Sequence, residues 1–144
     1  RDLDDAILII AATNETAVNE AVQEAAQHWQ LINRTDQQSE SDFITPAIVR
    51  RGPLVLTVST SGASPALARK IKGDLEDQFD DIYEDYVCFL QQARLMIAAK
   101  YDKGPQRRAA LQALLEPNIL EWTRHGEIDQ REAYLQQLLM GEKQ

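Results

Sequence analysis

Seven consecutive apolar residues, Ala6-Ile-Leu-Ile-Ile-Ala-Ala12, constrain this fold more than any other feature of the chain. An unbroken apolar run rich in β-branched side chains suits a parallel strand covered on both faces. Thr13 or Asn14 then offers a helix N-cap. Ala17, Val18, Ala21, Val22, Ala25 and Ala26 follow at helical spacing. Their small size predicts a helix packed closely on a sheet. Leu31-Ile32 opens another short strand. Strand, helix and strand make one unit of an open α/β sheet.

Residues 37–42 are polar and read as a loop, and Phe43 to Val49 turns apolar again. Gly52-Pro53 signals a turn. Leu54 to Ser59 is the second clear strand, with Val55, Thr57 and Ser59 alternating against Leu54, Leu56 and Val58. Ser64-Pro65 places a cap and a first-turn proline together, a strong helix start. From there the pattern is nearly all helical. Helices are predicted from Pro65 to Phe79 and from Ile82 to Tyr101, with a break at Gly104-Pro105. Shorter helices are predicted over Gln106–Leu115, Pro117–Arg124 and Asp129–Met140. The change of pattern at residue 65 separates an α/β piece from a helical piece.

Charge narrows the class of partner. The net charge of −8 opposes binding to nucleic acid and to anionic membranes. No apolar run approaches the roughly 20 residues that span a bilayer. The single cysteine, Cys88, supports neither a disulfide framework nor a cysteine zinc site, and it lies in an apolar helical stretch as a structural thiol. With no secretion signal visible, a cytoplasmic protein is expected. His28 and His125 have no second ligand at a metal-binding spacing, so no metal site is expected. The acidic run from Asp74 to Asp85 reads as a solvated face.

Ligands of open α/β sheets bind at the carboxyl ends of the strands. Ala11-Ala12-Thr13 sits at one such end, facing a helix N-terminus. No Gly-x-Gly-x-x-Gly occurs in the chain, so spacing alone does not establish a nucleotide site. Asp36 follows the second strand, where a carboxylate serves as a general acid or base or simply caps a loop. Ser59-Thr-Ser-Gly-Ala-Ser-Pro65 is a hydroxyl-rich turn that feeds a helix. Such turns present N–H groups to carboxylates or phosphates, or act only as caps.

The motifs occur in a specific order: Leu8-Ile-Ile-Ala-Ala-Thr-Asn14 with Asn19 downstream, Asn33-x-x-Asp36, Asp42-Phe-Ile-Thr-Pro-Ala-Ile48, Arg50-x-Gly-Pro-Leu54, then Ser59-Thr-Ser-Gly-Ala-Ser-Pro-Ala-Leu-Ala-Arg69. This resembles the bifunctional precorrin-2 dehydrogenase and sirohydrochlorin ferrochelatase family, the N-terminal module of siroheme synthases. The likeness covers residues 3–75.

The resemblance implies an α/β fold: a partial Rossmann-type parallel sheet, a small dimerisation strand region and a mostly α-helical domain. The corresponding spans are 1–47, 48–74 and 75–144. It implies NAD-dependent oxidation of precorrin-2 to sirohydrochlorin, with ferrous iron insertion in some members. Asp36 falls on the family's acid/base residue. The cofactor would lie against Ala11, Ala12 and Thr13, and the tetrapyrrole against Asn33, Ser59, Thr60, Ser61 and Gly62. Arg34, Arg50, Arg51 and Arg69 are candidates for its carboxylates.

There are two departures. The family's glycine-rich dinucleotide loop is expected N-terminal to Arg1, and Arg34-Thr35 replaces an apolar pair. A homodimer is expected, because the Leu54–Ser59 strand looks too isolated to stand alone. The competing readings are a non-catalytic tetrapyrrole carrier on the same fold and a plain helical scaffold.

Overall fold

The computed structural model describes residues 3–141. Its elements run β1 (Leu8–Ala11), α1 (Thr16–Ala25), β2 (Leu31–Arg34), a 3-10 turn (Gln38–Glu40), β3 (Ala47–Arg51), β4 (Leu54–Val58), α2 (Pro65–Gln78), α3 (Ile82–Lys100), α4 (Pro105–Ala113), α5 (Pro117–Arg124) and α6 (Ile128–Met140). They divide into two compact units, Arg1–Ile48 with Thr57–Gly73, and Val49–Leu56 with Asp74–Gln144.

In the first unit β1 and β2 pair in parallel, with Leu8 opposite Leu31 and Ala11 opposite Arg34. The expected βα unit is therefore present. One expectation needs correction. Ile9, Ala11 and Ile32 are buried, but Leu8 and Ile10 are more than half exposed. The strand is covered on one face only, because alternate side chains of a strand point to opposite faces. Helix α1 also starts later than expected. Its N-cap position is Glu15, which makes no side-chain cap bond, and Thr13 serves a different purpose.

Chain segments beside β2 complete its hydrogen bonding. Asp42 N donates to Ile32 O at 2.8 Å, and the Asp42 carboxylate accepts from Ile32 N at 2.9 Å. Ser41 Oγ accepts from Arg34 N at 2.8 Å and donates to Arg34 O at 3.2 Å. Buried backbone groups need such partners, so the polar loop 37–42 is held against the strand.

β3 and β4 form a separate two-stranded sheet. The Leu54–Val58 strand is thus not isolated; residues 47–51 supply the neighbour that the apolar Phe43–Val49 stretch only hinted at. The five helices follow the periodicity closely, each within two residues of its expected start and end. Ser64 caps α2 as expected, its Oγ accepting from Leu67 N at 3.2 Å.

The helical unit has its own core. Tyr86, Phe89, Ala93 and Ile97 recur along one face of α3 and pack with Ala110, Leu114, Ile119 and Leu135. Each fully buried large aliphatic side chain contributes about 1.5–3 kcal/mol relative to exposure. The Tyr86 hydroxyl donates to Leu114 O at 3.2 Å, so this buried polar tip is satisfied. Cys88 is half-buried on the same helix.

Candidate functional site

Three parts of the first unit carry the residues singled out above. The first is the carboxyl end of β1. Ala11 is buried and its carbonyl is taken: Thr35 N donates to it at 3.0 Å and Thr35 Oγ1 at 3.2 Å. Ala12 and Thr13 are exposed. Thr13 is held by Asn19, a fully buried residue of α1. Asn19 Oδ1 accepts from Thr13 N at 3.0 Å and from Thr13 Oγ1 at 2.8 Å, and Asn19 Nδ2 donates to Thr13 O at 3.1 Å. The strand-to-helix crossing is therefore rigid, and the small side chain of Ala12 leaves it open to an approaching ligand.

The second part is the carboxyl end of β2. Arg34 is the largest fully buried side chain among the described residues. Its Nη2 donates to Asp36 Oδ2 at 2.9 Å and its Nε to Asp36 Oδ1 at 3.4 Å. Its Nη1 donates to Gln23 Oε1 at 2.9 Å and to Glu40 Oε2 at 3.2 Å. Glu20 lies 4.0 Å from Nη2. The hydrogen bond from Arg34 holds the Asp36 carboxyl below its ordinary range against the opposing effect of desolvation, and an Asn19 hydrogen bond adds to it. Asp36 also raises the proton affinity of Arg34. Arg34 is thus removed from the candidate substrate-binding arginines: its guanidinium is committed within the protein.

The third part is a cleft of about 490 Å³ lined by Ile44, Thr45, Val58, Ser59, Thr60, Gly62, Arg69 and Lys72 among others. The turn at its edge is tight. Ser61 and Gly62 have positive φ, 51° and 83°, and Ala63 N donates to Thr60 O at 2.9 Å. A Cβ on Gly62 would lie 2.6 Å from Gln38 Oε1. Ser59 Oγ accepts from Ser61 N and Thr60 Oγ1 from Ser64 N, both at 3.1 Å. In both cases the turn uses the hydroxyl oxygen and not its proton, so Ser59 and Thr60 can still donate to a ligand. With Arg69 and Lys72, the cleft is a set of donors suited to carboxylates.

Among the expected substrate contacts, Ser59, Thr60 and Gly62 line this cleft, whereas Asn33 is buried and donates to Thr45 Oγ1 at 3.2 Å. Arg51 is engaged with Asp81 at 3.2 Å. Lys72 is one of the basic residues the sequence offers for a local cationic patch, whereas sequence reasoning missed Gln38 and Thr45 as cleft residues. It also passed over the roles of Arg34 and Asn19. Asn19 did carry a signal: it falls on the Val22 face of α1, where a polar residue needs a buried partner.

A parallel βα unit, followed by a two-stranded sheet and a helical unit, defines a partial Rossmann-type protein. Comparison with known proteins agrees. Residues 1–47 match the family described as putative NAD(P)-binding, and residues 51–78 match the sirohaem biosynthesis protein central family. The precorrin-2 dehydrogenase of Priestia megaterium is 40% identical over 96 residues, 67% of this chain and 48% of that protein. The siroheme synthase of Nitrosospira multiformis is 33% identical over 141 residues, 97% of this chain and 30% of that protein. The solved structure of SirC, precorrin-2 dehydrogenase, superposes with a TM-score of 0.73 at 34% identity, covering 95% of this chain and 65% of that one. The chain belongs to the precorrin-2 dehydrogenase and siroheme synthase family. It spans less than half the length of these two curated relatives. Among the described residues, no helix is long and apolar enough to cross a membrane.

Proposed function

We propose that this chain is part of a cytoplasmic, homodimeric enzyme that oxidises precorrin-2 to sirohydrochlorin with NAD. The observation that carries the reading is the donor-lined cleft, with Gln38 in its wall two residues beyond the Asp36 carboxylate. The substrate is a polycarboxylate, and Arg69, Lys72 and the Ser59 and Thr60 hydroxyls match it despite the overall negative charge.

The residues present fit one wall of a nucleotide site. Ala12 is small and exposed, and the α1 N-terminus carries no side-chain cap. Ala11, Ala12 and Thr13 would flank the cofactor there. NAD, when bound, supplies the hydride acceptor. Loss of hydride from the tetrapyrrole must be matched by loss of a proton, and Asp36 as carboxylate accepts it. Deprotonation of pyrrole nitrogens for ferrous iron insertion would call on the same base, with iron as substrate.

The dimer is supported by the β3–β4 pair, since a two-stranded sheet is marginal alone, and by the exposure of Ile48 and Val55 on it. The cytoplasmic assignment rests on the single unpaired cysteine.

The test is anaerobic turnover of precorrin-2 with NAD by the complete natural protein, beside Asp36→Ala. The sirohydrochlorin spectrum is expected from the parent, and a rate lower by roughly 100-fold or more from the variant. Binding of the tetrapyrrole without turnover in the parent would instead establish a carrier.

A further inference from the structure

The buried arginine beside Asp36 has no place in the reading so far. A fully desolvated guanidinium is costly unless every donor is used. Here four of the five N–H groups donate hydrogen bonds and Glu20 lies near the fifth, and the acceptors are not shared evenly. Asp36 takes Nε and Nη2 together in a two-point fork, whereas Gln23 and Glu40 share Nη1. A two-point pair fixes the plane of the carboxylate as well as its distance. The Asp36 side chain remains 23% exposed, so part of the carboxylate is open while the fork holds the rest.

We infer that Arg34 is a positioning residue for Asp36: its two-point fork fixes the plane and place of that carboxylate for proton transfer. The inference rests on the proton-accepting role proposed for Asp36. The charged groups within 4.0 Å of the Arg34 guanidinium, among the described residues, are Asp36, Glu20 and Glu40. Glu20 on α1 and Glu40 on the 3-10 turn face Arg34. Without the guanidinium, Glu20 and Glu40 would be left beside Asp36 with no compensating charge. Like charges raise a carboxylate's proton affinity, as does the loss of its cation. Arg34→Leu should therefore raise the proton affinity of Asp36 and release the plane of its carboxylate, and at neutral pH, where the group stays ionised, the lost alignment is what slows proton transfer.

The experiment uses the complete natural protein and two readouts, carboxyl-carbon NMR titration of Asp36 and the pH profile of kcat/KM. In Arg34→Leu the Asp36 titration and the acid limb should move together to higher pH. kcat should fall about 10-fold or more at neutral pH, as proton-transfer contributions of this kind do, with KM little changed. Arg34→Lys keeps the charge and loses the fork, so the limb should stay near the parent while kcat is partly restored. Should Arg34→Leu fail to fold, Arg34→Gln, which keeps hydrogen bonding without charge, takes its place with the same expectation. An Asp36 titration that does not move in the neutral variant, or a uniform loss with an unmoved limb, would overturn the inference. Asp36→Asn separates the two levels. Full activity in that variant removes the base reading, while the NMR titration still decides whether Arg34 sets the state of Asp36.

Discussion

Asn19 holds Thr13 from three directions: its amide oxygen accepts both the Thr13 N–H and the Thr13 hydroxyl, and its amide nitrogen donates to the Thr13 carbonyl. A residue at the end of the first turn of α1 thereby fixes the loop that precedes the helix. Glu15, at the N-cap position, makes no side-chain cap bond, so the approach to α1 is held from Asn19 instead.

Asn19→Ala should therefore strip three partners from one loop residue. Leaving buried polar groups unpaired costs about 1–3 kcal/mol. Urea denaturation of the parent and the variant measures this, and a change below about 0.5 kcal/mol would show that water replaces the side chain. Affinity for NAD should weaken in parallel, because the loop beside Ala12 loses its fixed shape.

Gly62→Ala tests the turn that borders the cleft. At φ 83° an alanine sits in the left-handed region, which costs about 1–2 kcal/mol for a residue with a Cβ. The contact with Gln38 Oε1 adds little, because that atom ends a flexible side chain. Thermal unfolding should show the loss, and fluorescence-quench titration with a tetrapyrrole should show weaker binding. Unchanged affinity would argue that the turn does not shape the substrate site.

Ile119→Ala addresses the helical unit. Ile119 is fully buried in the core, and truncating such a residue costs about 2–5 kcal/mol. Helical circular dichroism against denaturant is the measurement. A loss near 5 would mean that the helices cannot close over the cavity, and a loss near 2 that they can.

Acid stability follows from Asp36 and Asp80. Hydrogen bonds from Arg34 and Arg124, respectively, hold both carboxyls below their ordinary value of 3.8. A lowered folded value means that the unfolded chain binds protons first as pH falls. Their contribution is therefore complete above the ordinary value and is lost as pH drops through the folded value. The melting-temperature gap between parent and Asp36→Asn should be flat from neutrality to about pH 5 and should close below it. A gap that persists unchanged at the acid end would show that the pair stabilises through packing and not through charge.

Much of the architecture was legible from local chemistry. Ser64-Pro65, Gly104-Pro105 and Pro117 punctuate the helices where the chain itself changes preference, so α2 to α6 could be placed from periodicity. The βα unit was equally readable from Ala6–Ala12 and the alanine-rich helix. Local chemistry did not place β3 as the partner of β4, since Phe43–Val49 carries no strong strand alternation and pairing is a non-local event. It also misplaced Arg34, which charge and position alone assign to the surface or to a substrate carboxylate.

The sequence by itself determined where strands and helices form, because capping, proline placement and apolar period act over a few residues. It also placed Asp36 and the Ser59–Ser64 hydroxyls at element ends, where ligands bind. Only the tertiary structure decided which polar groups meet: Arg34 with Asp36, Gln23 and Glu40, Asn19 with Thr13, and Asn33 with Thr45. Those pairings exist because burial removes water from each group and leaves a protein partner as the way to satisfy it. That partner can lie 11 residues away along the chain, as Gln23 does from Arg34.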